Sequence, residues 1–455
     1  MSRTKYFSGA FALTCILFWS GISLIGRVQA QTVAVPSDSH CHNNTLAQIA
    51  QHTETAYANM RMTRGFTPRV DLNRNTSGAI EHLSGLSMKI DAKLLIFTRE
   101  ADLVCGYLVD FTKKSPLVEA SYSLGSMSEL TQLVSDSRFA FGVYQAQVTR
   151  APQRSRGASA MAQHEPMAGV SEKAFRELGI RLFPVGVISR LYPQVNLMVL
   201  PTGVLATLPF SALIPEQATD PLSERVVLSI LPALSADRDK SGGAYIVWQG
   251  TSGDRALVLG NPDLTRHEDW KFQPLPGAEL EARSVAATLP GWAYFGREAT
   301  ADHFFNHADQ ADLIYLATHA VSSVSSDREA LDESFIALSD RLITPREIQH
   351  SNFKASLAVL SACQTGLGAP HDGGTIGLAR AFNLAGVPGV IMSLWNVDDM
   401  ATKALMASFM RHLESKAPQE ALSLAMRERR RVDPNPAKWA SFMYFGFPML
   451  SKESR

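Results

Sequence analysis

The second half of the chain alternates short apolar runs with segments of helical periodicity, and this alternation limits the fold more than any other feature. After Gly253 the apolar runs are four or five residues long and bounded by turn residues. Such runs suit buried strands, and the helical segments between them supply the crossovers that parallel strands need. We therefore predict an α/β fold, a mostly parallel sheet with helices on both faces. The runs are ALVL at 256, WAYF at 292, LIYL at 313, LAVL at 357 and VIMSL at 390, with helices predicted over 279–289, 300–307, 376–385 and after 399.

The first half of the chain is less regular. Residues 31–90 are polar and predict an N-terminal helical extension, too short for the three or more repeats that a solenoid needs. Residues 91–250 begin with a predicted strand pair, LLIF and LVCGYLVDF, and contain a later strand, LMVL. The polar stretch near 148–166 predicts a mobile linker, followed by a helix that Ser171 caps. Residues 251–450 form the second half.

Residues 1–30 have the three parts of an export signal. Arg3 and Lys5 precede an uncharged apolar stretch over 7–26, and VQA at 28–30 has the spacing of a cleavage site. We expect a cleaved signal peptide; the apolar stretch is also long enough for an uncleaved membrane anchor. Both alternatives place the body outside the cytoplasm, in the periplasm or the extracellular space. No further stretch of about 20 apolar residues follows, so we expect no other membrane segment.

The charge of the chain argues against a general nucleic-acid binder. The 43 basic and 43 acidic side chains balance, and subtracting Arg3, Lys5 and Arg27 of the export signal leaves 40 basic against 43 acidic groups. Nucleic-acid binding needs a positive surface. We therefore expect no nucleic-acid partner.

An odd number of cysteines remains once the export signal is set aside. Cys15 belongs to the signal, which leaves Cys41, Cys105 and Cys363 in a compartment that favours disulfides. If Cys41 and Cys105 pair, the N-terminal segment is tied to a strand and Cys363 stays free. A free thiol is either a small buried hydrophobe or a reactive group. The cluster HCH at 40–42 cannot close a zinc site unaided, because three adjacent donors do not surround a metal ion.

A histidine and a cysteine follow two of the predicted strands. LIYL is followed by ATHA, which contains His319, and LAVL by SAC, which ends at Cys363. Ligands of open α/β sheets bind beyond the carboxyl ends of the strands, so neighbouring strands would bring these side chains to one rim. A thiol has an ordinary pKa of about 8.5, which a nearby imidazole lowers. The pair predicts a cysteine nucleophile and a histidine that protonates the leaving amine, with the backbone N–H groups of Ala320 and Cys363 as oxyanion donors.

Other residues offer alternative chemistry. His371 lies eight residues after Cys363, but it falls in the loop APHDGG without a strand to hold it. His303 and His307 are spaced i, i+4 but lack the glutamate of the metalloprotease motif HExxH, so we expect a solvated helix face. The basic run RERRR at 427–431 predicts a solvated helix end. The sequence has no Walker lysine and no GxSxG elbow, which argues against nucleotide binding and a serine hydrolase.

Several longer stretches resemble one family. YLATHA, LSACQTGLG, GTIGLARAFNLAGVPGVIMSLWNVDD and NPAKWASFMYFG occur in this order, and VLPTGVLATLPFSAL and LPGAELEARSVAATL precede them. Together they resemble the CHAT domain, a caspase-like family of cysteine peptidases related to separase, over about residues 90–450. The resemblance implies a caspase-like sheet, with His319 as the family's histidine and Cys363 as its nucleophile.

The resemblance also implies substrates and partners. A cysteine endopeptidase acts on protein or peptide substrates through a thioester acyl-enzyme, without a metal or another cofactor. Relatives often have glycine where this chain has Ala320, whose methyl group narrows the site but leaves the N–H in place. No array of the tetratricopeptide repeats that often precede the domain is present in this sequence, so we expect an activating protein partner in trans. The alternative is a non-catalytic interaction or scaffold module with the same fold.

Acidic residues near the rim are candidates for selecting the substrate. Asp372 lies in the glycine loop, and Asp398 and Asp399 follow VIMSLWNV. A buried carboxylate favours arginine or lysine at the P1 position of the substrate, whereas Asp398 or Asp399 could instead cap the following helix. With a basic preference, self-cleavage is expected in the linker at Arg150, Arg154 or Arg156.

Overall fold

The computed structural model describes residues 39–451 apart from ten short segments. These segments are 63–71, 114, 139–147, 151–167, 235–245, 252–254, 274, 324–326, 363–364 and 396–398. The predicted export signal therefore lies outside the described residues, as do Arg154, Arg156, Cys363 and Asp398. Among the helices that are described, none has the length and apolar character needed to cross a bilayer.

Eighteen strands lie within the described residues, and eleven of them form one sheet. Those of the first half are β1 (Ala92–Glu100), β2 (Leu103–Asp110), β3 (Leu117–Ser126), β4 (Val148–Arg150), β5 (Val195–Leu200) and β6 (Val226–Ile230). The second half begins with β7 (Ala256–Pro262), β8 (Trp270–Phe272), β9 (Gly291–Gly296), β10 (Leu313–Ala317), β11 (Ala320–Val321) and β12 (Phe335–Ala337). It continues with β13 (Leu342–Ile343), β14 (Leu357–Ser361), β15 (Ala369–His371), β16 (Gly374–Ile376), β17 (Gly389–Ser393) and β18 (Phe442–Gly446).

The large sheet is mostly parallel and runs through both halves of the chain. Its order is β3-β2-β1-β5-β6-β18-β17-β14-β10-β7-β9, and within it the pairs β1–β2, β2–β3 and β17–β18 are antiparallel. The five apolar runs of the second half are all strands of this sheet, which confirms the predicted α/β fold. The sequence did not predict that the first half extends the same sheet. The two halves meet where β6 and β18 share one registered pair, Ile230 with Phe445.

Helices flank the sheet. Those before residue 200 are α1 (Ser39–His42), α2 (Leu46–Met62), α3 (Leu72–Ile90), α4 (Met127–Ser137), α5 (Ala168–Leu182) and α6 (Val185–Ile188). The later ones are α7 (Pro276–Thr288), α8 (Ala301–Ala308), α9 (Asp327–Asp332), α10 (Pro345–Gln349), α11 (Leu378–Leu384), α12 (Asp399–Leu413) and α13 (Pro418–Val432). Short 3-10 helices occupy Gly203–Thr207, Phe210–Ala212, Leu222–Glu224 and Pro436–Lys438.

Alternate residues of β1 show that helices pack on both faces of the sheet. Leu95 and Phe97 belong to an apolar core that includes residues of α4 and α5. Leu94 and Ile96 belong to a second core, which includes residues of α2 and α3. Because successive side chains of a strand point to opposite faces, the two cores lie on opposite sides of β1. This arrangement confirms the predicted helix cover at this end of the sheet.

Local sequence sets where some of the helices begin. Pro276 occupies the first turn of α7, where its fixed φ suits a helix and its missing N–H costs no hydrogen bond. Thr300 caps α8, and its hydroxyl oxygen accepts the N–H of His303 at 3.1 Å. The predicted cap at Ser171 is wrong, because α5 begins earlier. Ser171 is buried inside that helix and its hydroxyl donates to the carbonyl of Asp136, in the last turn of α4, at 2.8 Å.

The N-terminal extension is helical, and a disulfide joins it to the sheet. Cys41 in α1 bonds Cys105 in β2, with their Cα atoms 5.6 Å apart. The far end of α2 reaches the second half of the chain. There Met60 packs in one apolar cluster with Ala369 of β15 and Ile376 of β16. The extension therefore contacts the hairpin that follows the LSACQTGLG stretch.

The first residue of the basic run at the end of α13 is not solvated as the sequence predicts, whereas Arg431 is exposed. Arg427 is only 8% exposed, and its guanidinium donates to the carbonyl oxygens of Ser223 at 2.7 Å and Val226 at 3.2 Å. Burial lowers the pKa of Arg427. A buried guanidinium is tolerated here because backbone carbonyls accept its donors.

The face of α8 that carries two histidines is also not solvated. The ring of His303 stacks on Tyr294 at 4.0 Å between centroids, and the ring of His307 stacks on Trp292 at 4.8 Å. Both aromatic partners belong to β9, the edge strand of the sheet. The i, i+4 spacing therefore serves packing against the sheet edge.

Candidate active site

The predicted rim of the sheet is built from two adjacent parallel strands. β10 and β14 pair in register, with Ala317 opposite Ser361 at their carboxyl ends. His319 lies two residues after Ala317, and Cys363 lies two residues after Ser361 in the sequence. Cys363 itself is outside the described residues. The described site therefore consists of His319 and the segments on either side of positions 363–364.

His319 is buried and held by a backbone carbonyl. Its side chain is 2% exposed, and its Nε2 lies 2.6 Å from the carbonyl oxygen of Gln273. A carbonyl oxygen can only accept, so Nε2 carries the proton of this hydrogen bond. In the neutral ring the basic lone pair is then on Nδ1. The ring of Phe272 lies 5.3 Å from that of His319 and fixes the plane of the imidazole further.

The backbone after His319 is oriented by a small sheet. β11, β12 and β13 form this sheet, in which Ala320 is the partner of Ile336. The Ala337 N–H donates to the His319 carbonyl at 2.9 Å, which makes Ala320 and Ile336 a non-hydrogen-bonded pair of the antiparallel ladder. In such a pair the N–H groups point away from the partner strand. The N–H of Ala320 is therefore directed away from β12.

One serine holds the residues on either side of positions 363 and 364, including the turn at Thr365 and Gly366. The hydroxyl of Ser393, at the end of β17, donates to the carbonyl of Ala362 at 2.5 Å. The backbone N–H of Ser393 donates to the Thr365 hydroxyl at 2.9 Å, and its carbonyl accepts the Gly366 N–H at 2.7 Å. All three bonds are buried among neighbouring strands. Ala362, Thr365 and Gly366 are thus fixed to the sheet. Neighbours held in this way are the kind of support that a catalytic side chain requires.

Two glycines allow the backbone before β15 and the backbone after β16 to pass close to each other. A Cβ on Gly368 would lie 1.8 Å from the Ile376 carbonyl oxygen, and one on Gly377 would lie 2.4 Å from the Leu367 carbonyl oxygen. No side chain fits at either distance. The hairpin of β15 and β16 can therefore fold back against the turn only with glycine at both positions.

Of the three carboxylates that the sequence proposes for substrate selection, the structure describes the surroundings of one. Asp372 lies at the tip of the β15–β16 hairpin, where its Oδ1 is 3.6 Å from Nη1 of Arg99, so a cation of the chain already accompanies it. It borders an open cleft of about 460 Å³ beside α2. Asp399 is the first residue of α12, and its side chain, like all of Asp398, lies outside the described part of the chain.

His371 is better supported than the sequence indicated. It is the last residue of β15, so a strand does hold it. Its Nδ1 lies 3.2 Å from the N–H of Gly373 and accepts that hydrogen bond. The ring of His371 therefore stabilises the hairpin turn.

Sequence reasoning placed His319 after the end of a strand, as the structure does, but missed the groups that position its ring. Gln273 acts through its backbone carbonyl, which every residue possesses, so its type carries no signal. Thr365 and Ser393 are visible in the sequence as hydroxyl side chains, one shortly after the end of β14 in LSACQTG and one at the end of β17 in VIMSL. Hydroxyls at such places are a weak signal, because they also occur as ordinary caps and turn residues.

Two curated proteins are similar in sequence to part of this chain. The chain resembles tetratricopeptide repeat protein 28 of Homo sapiens, at 26% identity over 294 residues, which is 54% of this chain and 12% of that protein. The same protein of Mus musculus is 25% identical over 291 residues, with the same coverage. The chain thus spans about an eighth of these curated relatives.

The fold is similar to that of separase. In a crystal structure of the Saccharomyces cerevisiae separase–securin complex, the matched region covers 89% of this chain and 34% of the other, with a TM-score of 0.54 and 10% sequence identity. At that identity the likeness concerns the caspase-like fold alone. The family model of the CHAT domain matches residues 172–447, which is more than half of the chain. This match includes the strands, the histidine and the clamped turn described above, and the chain therefore belongs to the CHAT domain family.

Proposed function

We propose that this protein is an exported, caspase-like cysteine endopeptidase with Cys363 as nucleophile and His319 as its base and acid. The observation that carries the proposal is the Gln273 carbonyl on Nε2 of His319, because it leaves Nδ1 as the basic nitrogen. The pairing of Ala317 with Ser361 supports it, since each proposed catalytic residue follows its strand by two positions. The hydrogen bonds of Ser393 also support Cys363 as the nucleophile, because they fix the residues on both sides of that position.

In the proposed reaction, Nδ1 of His319 accepts the thiol proton and the Cys363 sulfur attacks the peptide carbonyl carbon. The new C–S bond forms a tetrahedral intermediate, whose oxyanion accepts hydrogen bonds from the N–H groups of Ala320 and Cys363. His319 returns its proton to the leaving amine as the C–N bond breaks, which leaves a thioester. Water then gives a proton to His319 and its oxygen to the carbonyl, and cleavage of the thioester restores the thiol. The scheme uses protein or peptide substrates and neither a metal nor a cofactor.

A basic P1 preference depends on the remaining carboxylates. Asp372 already pairs with Arg99, so we assign the stronger part of any such preference to Asp398 or Asp399. Cleavage of paired substrates with arginine or alanine at P1 measures it. Asp398→Asn and Asp399→Asn should each be compared with Asp372→Asn. Equal loss of arginine preference in all three variants would contradict this assignment, and no loss in any would leave helix capping as the role of the pair.

Export and control also belong to the proposal. The disulfide between Cys41 and Cys105 supports a location outside the cytoplasm, since cytosolic thiols are kept reduced. The yeast separase structure contains a protein partner, securin, which supports control of this chain by a protein partner. Fractionation of cells that express the full chain, with intact mass of the product, tests both export and removal of the signal.

A thiol-directed peptide probe tests the central claim. We expect labelling of the wild type, and loss of labelling by at least 100-fold in both Cys363→Ala and His319→Ala. His412→Gln is the matched histidine control, because His412 bonds Glu428 between α12 and α13 at 2.8 Å. Labelling that survives His319→Ala unchanged would contradict the dyad.

A non-catalytic interaction module is the second candidate. The name of the curated relatives describes repeats and mentions no peptidase activity. The same probe separates the two functions. A folded wild type that no peptide probe labels at Cys363 would favour the module.

A further inference from the structure

One strand of the linker is paired with the second half of the chain. β4 lies at 148–150, before the first residue matched by the family model at 172. It pairs antiparallel with β8, with Val148 opposite Phe272, Thr149 opposite Lys271 and Arg150 opposite Trp270. β8 lies inside the family-matched region. A segment outside the matched domain therefore completes a two-stranded sheet with a strand inside it.

β8 is directly attached to the candidate active site. Phe272 contacts the ring of His319, and the next residue, Gln273, holds its Nε2. Trp270 packs edge-on against Phe335 of β12 at 4.7 Å between centroids. Lys271, between the two aromatic residues, is exposed. One face of β8 is thus used for packing, and β4 pairs with its backbone edge.

We propose that this edge of β8 is a docking strand for extended peptides beside His319, and that residues 148–150 occupy it within the same chain. The inference rests on the proposed function in one respect: if the protein is a peptidase, a substrate or partner that pairs with β8 must first displace β4. Strand addition of this kind depends on main-chain hydrogen bonds and tolerates many sequences. A tethered segment competes at an effective concentration of millimolar order, so the covering strand weakens binding from solution without abolishing it.

The register of β4 on β8 indicates whether the docked strand blocks the site or is itself positioned for cleavage. Val148 lies opposite Phe272, so it is the β4 residue nearest to Gln273, whereas Arg150 lies two positions further along. Two positions of a strand span about 7 Å. Arg150 is therefore paired at the end of β8 that is further from Gln273, and on this proposal self-cleavage after Arg150 requires β4 to leave β8.

Binding of a labelled peptide tests the proposal without relying on activity. The probe is a fluorescent YQAQVTRAP peptide, the sequence of residues 144–152, and the protein is the full chain with Cys363→Ala. Adding Val148→Pro with Thr149→Pro removes two consecutive N–H groups from β4, so at least one ladder bond is lost. We expect about tenfold tighter peptide binding in this variant. The control, Val148→Ala with Thr149→Ala, keeps the backbone N–H groups and should change the affinity less than twofold. Equal affinities in all three proteins, or no binding to any, would overturn the proposal.

A cross-link gives an independent measurement should the proline variant fail to fold. Thr149 and Lys271 are direct Cα partners, so Thr149→Cys with Lys271→Cys should form a disulfide and reduce peptide binding at least tenfold. Reductant should restore binding in this variant to that of the Cys363→Ala parent treated with the same reductant, which controls for opening of the Cys41–Cys105 bond. Absence of the cross-link, or full binding with it formed, would overturn the docking. Since both readouts use an inactive protein, failure of the peptidase proposal is recognised separately, by the thiol probe on the wild type.

Discussion

Reduction of the Cys41–Cys105 disulfide should destabilise the protein by an amount that follows from the length of its loop. The bond joins residues 64 positions apart, and the chain-entropy relation for a loop of that length gives about 4 kcal/mol at 25 °C. Unfolding entropy is about 2.1 cal/mol/K per residue near 60 °C, or roughly 0.8 kcal/mol/K for a cooperative unit of about 400 residues. Dividing the lost free energy by this unfolding entropy gives a decrease in Tm of about 5 °C.

Differential scanning calorimetry of four samples checks this value. The oxidised and reduced wild type have the same side-chain atoms apart from the two thiol hydrogens, so their difference isolates the cross-link. The double variant Cys41→Ala with Cys105→Ala, with and without reductant, is the control and should show no response to reductant. Both cysteines are fully buried, so the variant itself should be less stable than the reduced wild type.

Two results would refute the reasoning. If reduction lowers the Tm of the wild type by less than 1 °C, the unfolded chain gains little conformational freedom when the loop opens. A response of the double variant to reductant would assign the effect to another thiol. A transition that splits in two on reduction would instead reveal that α1 and α2 detach before the sheet unfolds.

Three further predictions concern the site and its supports. Gly368→Ala should reduce probe labelling by at least tenfold, because its Cβ would lie 1.8 Å from the Ile376 carbonyl oxygen; Gly186→Ala, whose nearest contact is at 4.0 Å, is the matched control and should label normally. Arg427→Met should lower unfolding free energy by about 2–4 kcal/mol, measured by urea denaturation, since buried carbonyls lose their donors. Burial, and to a smaller extent Glu281, raise the pKa of Tyr315 well above its ordinary value. The stabilising contribution of Tyr315 is therefore complete below about pH 10, the ordinary pKa of tyrosine, and declines at higher pH. The Tm difference between the wild type and Tyr315→Phe should narrow as pH rises from 9 to 11, and a widening difference would contradict a raised pKa of Tyr315.

The elements that sequence reasoning predicted are those with strong local patterns. Each buried strand of the second half is an uninterrupted apolar run, and the helix between two such runs shows its own period. His319 could be placed at a strand end because LIYL is unambiguous. The pairing of Ala317 with Ser361, which sets the position of the segment after β14 relative to His319, required only that β10 and β14 be neighbours.

The groups that sequence reasoning missed act through the backbone or across long separations. Gln273 lies 46 positions before His319 and contributes a carbonyl, so no residue type announces it. β6 joins β18 through one registered pair, and neither strand's own sequence indicates that the two halves share a sheet. Arg427 was predicted to be solvated from its charge, yet carbonyls of the 3-10 helix before β6 and of β6 itself accept its donors. Burial of a long polar side chain depends on such distant acceptors.

Two elements from outside the family-matched region meet the site, and they are held in different ways. α2 packs so closely on the hairpin that a Cβ on Gly373 would lie 2.9 Å from Tyr57 Cα, and the adjoining α1 is covalently tied to β2 through Cys41. β4 meets β8 through three backbone pairs. A competing peptide can replace backbone pairs but cannot replace a disulfide. A peptide that displaces β4 from β8, as proposed above, would therefore leave the disulfide-tied extension and its contact with the hairpin in place.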